Sequence, residues 1–212
     1  GQFPVRWVTD LGHGYGYPIY NFYGPLPYYV GGFLAMLGIS GLTATKIMMG
    51  VGMVGAGVAF FAALFPLVGT LAALAGGLMY VYAPYHAVQL YVRGAVGEFW
   101  ALIFFPLILL GVFSAEKKGK WRFLAGVLGV AGVITSHTIM GYIVVGLLMV
   151  STLFYRRMWR MLLVGLSVSA FFWLPAFAEM GYTNVAGQVG KTADFRDHFV
   201  CLSQLWNSPW GF

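Results

Sequence analysis

Acidic residues are scarce in this chain: Asp and Glu together number 6 in 212 residues, and Asp10 is the sole carboxylate before Glu98. Charged residues of both signs make up 8% of the sequence and hydrophobic residues 60%. A soluble domain carries roughly a quarter charged residues. A fold of this size could not cover a water-facing surface with so few, which argues against a soluble globular protein. The single cysteine, Cys201, leaves no internal disulfide framework. Four histidines, His13, His86, His137 and His198, lack the HxxxH or HExxH spacing of a zinc site. There is no P-loop, no GxSxG, and no GxGxxG following a strand, so soluble nucleotide chemistry has no anchor here.

What the chain does contain is long uncharged runs separated by short basic ones. No Asp, Glu, Lys or Arg lies between Lys46 and Arg93, or from Phe123 to Tyr155. Basic residues gather at Lys117, Lys118, Lys120 and Arg122, then at Arg156, Arg157 and Arg160. The pattern predicts an all-α, polytopic transmembrane helical bundle, with the basic loops on the cytoplasmic side. Those loops fit topology determinants better than a phosphate-tracking face, so the net charge of +6 does not imply nucleic acid. The 30 glycines suit close helix packing in lipid.

Counting passes from the basic loops gives about six spans. Phe123 to Tyr155 would form one helix of about 50 Å, too long for a hydrocarbon core of roughly 30 Å. Two passes broken near Thr135-Ser136-His137-Thr138 fit better, and Met161 to Ala178 forms the next. On the other side, Phe99 to Ala115, Thr70 to Ala83 and Lys46 to Leu64 are passes, with Phe65-Pro66-Leu67 as a tight inner turn. Pro25 to Ile39, broken by glycines and rich in Tyr and Phe, is expected to be interfacial or re-entrant. The organisation is therefore residues 1–24 as a first outward loop, 25–40 as the interfacial helix, and 41–178 as the bundle. Residues 179–212 form a last outward segment. Neither Gly1 nor Phe212 sits at a natural boundary in this pattern, and the chain is expected to be part of a longer membrane protein.

Three outward loops then hold most of the informative polar residues. The first contains Arg6, Asp10 and His13, the second runs from Tyr85 to Glu98, and the third is Ser136-His137-Thr138. Ionisable groups at membrane depth are functional-site candidates by default. Asp10 suits a general base or metal ligand, or equally an Asx turn or a salt bridge to Arg6. Arg93 offers a planar fork for phosphate oxygens, and Glu98 could take a metal or an acceptor hydroxyl. The alternative is a mutual ion pair, for which a spacing of five is poor on one helix face, although Gly94 and Gly97 make a continuous helix doubtful. His137 at a membrane turn is either a substrate partner or a satisfied structural group.

Several segments carry a family resemblance. They are Pro4-Val5-Arg6-Trp7, Asp10, Gly14 to Tyr29, Ala83-Pro84-Tyr85, Tyr91 to Ala101, Pro106-Leu107, Ser136-His137-Thr138, Trp173 to Phe177, and Leu202 to Trp206. Together they resemble a bacterial integral-membrane family labelled 6-pyruvoyl-tetrahydropterin synthase-related. Despite the label, that family is similar to GT-C glycosyltransferases, which use polyprenyl-phosphate-linked sugars on the outward face of the cytoplasmic (inner) membrane. The resemblance implies that Asp10 matches the essential acid of the first outward loop and would deprotonate the acceptor hydroxyl. It also implies that Arg93, Glu98, His137, Arg6 and Tyr91 contribute to substrate binding, with Arg93 on the lipid phosphate. A divalent cation (Mg²⁺ or Mn²⁺) is the one cofactor it leaves open, since the first loop lacks the paired acids many GT-C members carry. Membrane lipids, the polyprenyl-phosphate sugar and a glycan or protein acceptor are the partners it implies. A lipid or sugar transporter or flippase, and a non-catalytic cell-envelope scaffold, are the competing classes.

Overall fold

The computed structural model describes residues 4–113, 119–155, 158–183 and 202–205. Lys117, Lys118, Arg156 and Arg157 of the two basic runs lie outside the described residues, as do Cys201, His198, Trp206, Trp210 and most of 179–212. The described residues are helical throughout apart from turns and one isolated bridge. In chain order the helices are α1 (Ile19–Phe22), α2 (Leu26–Met36), α3 (Gly41–Val68), α4 (Thr70–Val81) and α5 (Pro84–Ala87). A π turn, Val88–Arg93, leads to α6 (Val96–Phe113), α7 (Lys120–Ser136), α8 (Thr138–Phe154) and α9 (Met158–Glu179). Two compact units divide the chain, Gly1–Ala176 and Phe177–Phe212, with α9 beginning in the first and ending in the second.

Three helical stretches are long and apolar enough to cross a membrane. They are Gly41–Val68, Val96–Phe113 and Met158–Tyr182, the last including a short 3-10 turn after α9, with mean hydropathies of 2.2, 2.2 and 1.9. The other helices are shorter: α4 has 12 residues, and α7 and α8 have 17 each. At 1.5 Å per residue these reach about 18 Å and about 25 Å, against a core of roughly 30 Å. Many large apolar side chains face outward, among them Leu71, Met79, Leu153 and Leu174. Such a surface is costly in water and suited to lipid.

Local chemistry explains the boundaries. Ser40 caps α3, its hydroxyl accepting from the Thr43 N–H at 3.3 Å, so the helix starts before the expected Lys46. The tight turn expected at Phe65-Pro66-Leu67 does not form. Helix α3 continues through Pro66 to Val68, and the reversal falls at Gly69, whose φ is +80°. Proline is locked near φ −65° and cannot supply that conformation; glycine can. Helix α2 lies inside the expected Pro25–Ile39 segment, and its 11 residues, about 17 Å, are too few to span alone. The break between α7 and α8 falls at His137, which is extended, within the Thr135–Thr138 stretch where the uncharged run was expected to divide.

Helix α6 is the centre of the first unit. Against α7, the Cα atoms of Gly111 and Gly126 face each other so closely that an added Cβ on either would come within 2.9 Å of the other. A Cβ on Gly129 would meet Ile108 N at 2.7 Å and Phe104 O at 2.9 Å. Backbones approach here because the side chains are absent, the usual device for helix association in lipid. Against α3, the Phe99 ring fills the space over Gly52, and Trp100 Nε1 donates to Met48 O at 3.1 Å. Against α4, the Tyr80 hydroxyl donates to Leu102 O at 2.8 Å.

Candidate functional site

The second expected loop is built around a change of helical register. Pro84 opens α5 at a first-turn position that needs no N–H, and the chain then widens into the π turn. Gly94 stops it in the left-handed conformation, φ +59°, with its N–H and that of Ala95 both reaching Gln89 O. This reversal folds Arg93 back over the first turn of α6. Arg93 Nη1 therefore lies 2.8 Å from Glu98 Oε2, a pairing that a continuous helix would not allow at this spacing.

Glu98 is buried, its side chain 7% exposed, whereas that of Arg93 is 48% exposed. The other carboxylate oxygen, Oε1, accepts from the Tyr85 hydroxyl. Both oxygens of Glu98 are thus engaged, one by a cation and one by a phenol. Burial pushes the Tyr85 hydroxyl above its ordinary 10.0, and the hydrogen bond and charge of Glu98 add to the shift, while Gln89 and Arg93 oppose it. Gln89 lies beside Tyr85 but out of hydrogen-bond alignment with it.

Around this pair the first turn of α6 is hemmed in by polar side chains that the protein leaves unmatched. His86, Gln89 and Ser136 are buried, and no protein group hydrogen-bonds to either ring nitrogen of His86, either amide atom of Gln89, or Ser136 Oγ. The His86 ring sits edge-on between Tyr80 and Phe99, at centroid distances of 4.9 and 5.8 Å. Burial lowers its pKa from the ordinary 6.5 and favours the neutral ring.

His137 caps α8, its Nδ1 accepting from the Met140 N–H at 3.3 Å. Its pKa is also lowered, chiefly by burial; Glu98 opposes the shift and Arg93 adds to it, so His137 lies within electrostatic reach of the pair. Neighbouring Ser136 presses on α6: a Cβ on Gly97 would stand 2.6 Å from Ser136 O.

The first loop meets the same place from another direction. A Cβ on Gly24 would collide with the carbonyls of Ser136 and Thr135, and Thr138 Oγ1 donates to Phe22 O at 2.8 Å. Upstream, Val8 and Tyr17 form an antiparallel bridge closing a hairpin in which Gly12, His13, Gly14 and Gly16 take positive φ. Arg6 secures the base of this hairpin, donating to Phe171 O in α9 at 2.8 Å and to Asn21 Oδ1 at 3.5 Å.

The residues expected to form a site are therefore only partly assembled. Arg93 and Glu98 meet, with His137 nearby. Arg6 makes contacts that hold the first loop. Tyr91 points away from the protein, 80% exposed. Asp10 stands exposed within the hairpin, its carboxylate accepting from Thr9 Oγ1 at 3.4 Å. Tyr85 and Ser136 lie in segments that carry the family resemblance but have no role implied by it, and Gln89 lies in the second loop outside those segments. Tyr85 and Gln89 stand four apart and His86 and Gln89 three apart, a helical-face signal visible in the sequence. Among the described residues no group of three His, Cys, Asp or Glu side chains could hold a metal ion. A divalent cation at Glu98 would stand against the Arg93 guanidinium, 2.8 Å from one carboxylate oxygen, and like-charge repulsion disfavours it there.

Compared with known proteins, the chain matches no protein-family model, no curated protein and no solved structure.

Proposed function

We propose that this chain is part of a GT-C-like membrane glycosyltransferase that moves a sugar from a polyprenyl-phosphate donor to an acceptor outside the bacterial cytoplasmic membrane. In this topology α3, α4, α6, α7, α8 and α9 are the six passes and α2 lies at the interface. Asp10, Tyr85–Glu98 and Ser136–Thr138 share the outward side.

One observation carries the proposal. Arg93 is held on one edge by the buried Glu98, yet nearly half of its side chain is open, and Gly97 beside Glu98 packs on the Ser136 turn that also receives Gly24 of the first loop. A guanidinium so pinned keeps free N–H groups in a fixed plane, the arrangement that suits phosphate oxygens. In the proposed reaction the acceptor hydroxyl oxygen bonds to the anomeric carbon as the bond from that carbon to the phosphate oxygen breaks. Asp10 takes the hydroxyl proton, and the lipid phosphate leaves with its electron pair against Arg93. Attack from the face opposite the phosphate inverts the anomeric centre. The exposed place of Asp10 suits contact with an acceptor arriving from water, and the half-buried place of Arg93 suits a donor arriving from lipid.

The test is lipid selectivity in the full-length protein. Native mass spectrometry from nanodiscs should show undecaprenyl phosphate retained in preference to undecaprenol, with Arg93→Ala erasing the preference. Equal retention of the two lipids by the unmodified protein would refute the phosphate-holding role.

A further inference from the structure

Gln89 is 0% exposed and His86 2%, and they stand one helical turn apart where α5 passes into the π turn. Four of their side-chain nitrogens and oxygens have no hydrogen-bond partner in the protein, and each of these atoms is sealed from solvent. A buried amide or imidazole without partners is expensive, and folded proteins rarely keep one without a use. Tyr85 lies on the same short element and donates to Glu98, which in turn holds Arg93. The unmatched atoms thus belong to the segment that carries the phosphate-facing cation.

Their chemistry restricts what they can bind. A neutral imidazole offers one donor and one acceptor, and a primary amide offers two donors and a carbonyl acceptor. A metal ion would use only the acceptors and a phosphate only the donors. Hydroxyl groups, which donate and accept at once, use both. The segment also has the means to open. It is a single helical turn and a π turn, bounded by the extended Ala83 and the left-handed Gly94. Isolated π turns recur where a helix must change register at a functional site.

We infer that His86 and Gln89 are a closed subsite for the hydroxyl groups of a sugar, opened by movement of the Pro84–Gly94 segment when a lipid-linked sugar docks its phosphate on Arg93. The inference rests on the proposed polyprenyl-phosphate chemistry and adds the residues that would recognise the sugar itself.

The experiment compares binding of undecaprenyl phosphate with that of undecaprenyl phosphoglucose, phosphomannose and phosphoarabinose to the full-length protein in nanodiscs. At least one sugar-bearing lipid should bind about tenfold tighter than the bare lipid phosphate, the gain expected from one or two added hydrogen bonds. Gln89→Leu, which keeps the volume and removes the amide, should bring that ratio close to one. Its melting temperature should rise, which separates loss of recognition from loss of folding. His86→Phe should act in the same direction. If none of the sugars improves binding, or if the ratio survives both substitutions, the inference is wrong while lipid-phosphate recognition stands. If undecaprenyl phosphate itself binds no better than undecaprenol, the parent proposal fails and this one with it.

Discussion

Removing Arg93 should cost much more stability than removing the charge of Glu98, although the two form one ion pair. The asymmetry comes from burial. Glu98 is 7% exposed and relies on Arg93 and the Tyr85 hydroxyl, so Arg93→Ala strands a carboxylate with one hydrogen bond in a dry site. Losing one member of a buried pair typically costs about 3–5 kcal/mol, and the surviving Tyr85 bond places this case near the lower end. Glu98→Gln strands Arg93 instead, but that side chain is 48% exposed and water can solvate it. A half-exposed partner behaves more like a surface pair, and about 1 kcal/mol is expected. The double substitution leaves no stranded charge, so it should be more stable than Arg93→Ala alone by roughly 1–2 kcal/mol. Reversible unfolding in mixed micelles, run as a double-mutant cycle, measures all three. The reasoning fails if Glu98→Gln is the costlier single change, or if the cycle is additive within about 0.5 kcal/mol.

Three further outcomes follow from the geometry. Gly97→Ala would drive a methyl group to 2.6 Å from Ser136 O, a backbone atom that cannot rotate away; it should cost about 1–3 kcal/mol in the same unfolding assay, and a neutral result would mean that α6 and the Ser136 turn are not in fixed contact. Asp10→Asn, at an exposed hairpin position, should change stability by less than about 0.5 kcal/mol while abolishing sugar transfer by the full-length protein; retained transfer removes Asp10 from the mechanism. His137 is held below its ordinary 6.5, so the unfolded chain takes up a proton first as pH falls. Its contribution is complete above about pH 6.5 and is lost as pH drops through the lowered native value. His137→Asn keeps a helix cap and removes that titration, so the fall in melting temperature between about pH 7 and about pH 5 should be smaller in the variant; superimposable pH profiles would exclude His137 as the source.

The charge distribution made the helices legible. Uncharged runs placed α3, α4, α6, α7, α8 and α9, and the polar Thr135–Thr138 stretch located the break that His137 makes. The site was harder to read, because it depends on backbone features with weak sequence signals. Arg93 and Glu98 looked badly spaced for pairing under helical geometry; a π turn followed by left-handed Gly94 brings them together. The outward topology and the family resemblance group Asp10 with that pair, not any local pattern. A glycine-rich hairpin holds it at an exposed position, a placement that no helical or strand periodicity announces. Tyr85 and Gln89 fall in the second outward loop without a role, since nothing in a sequence distinguishes a buried amide from a solvated one.

The length of α4 bears on how deep this site lies. Under the proposed topology α4 rises from the inner face, and its 12 residues cover about 18 Å of a core of roughly 30 Å. The chain then turns through Ala83 into α5 and the π turn while still about 10 Å below the outer boundary. The break at Gly94 and Ala95 is non-helical backbone, tolerated at that depth only where protein or a water-filled cavity surrounds it. Here α6 and the Ser136 turn provide cover, through Glu98, Gly97 and the aromatic packing of His86 against Phe99. Under the same proposed topology the α7–α8 break would be recessed too, since each of those helices falls about 5 Å short of the core thickness. Under that topology Glu98 is the buried member of the pair and Arg93 the half-exposed one, at the outward end of these short helices. A lipid phosphate could reach Arg93 from the side without leaving the bilayer. Lengthening α4 by one helical turn, through insertion of four alanines after Ala75, would raise Arg93 by about 6 Å. In the full-length protein this should weaken retention of undecaprenyl phosphate, whereas the same insertion in a helix that did not set the depth of Arg93 would leave retention as it was.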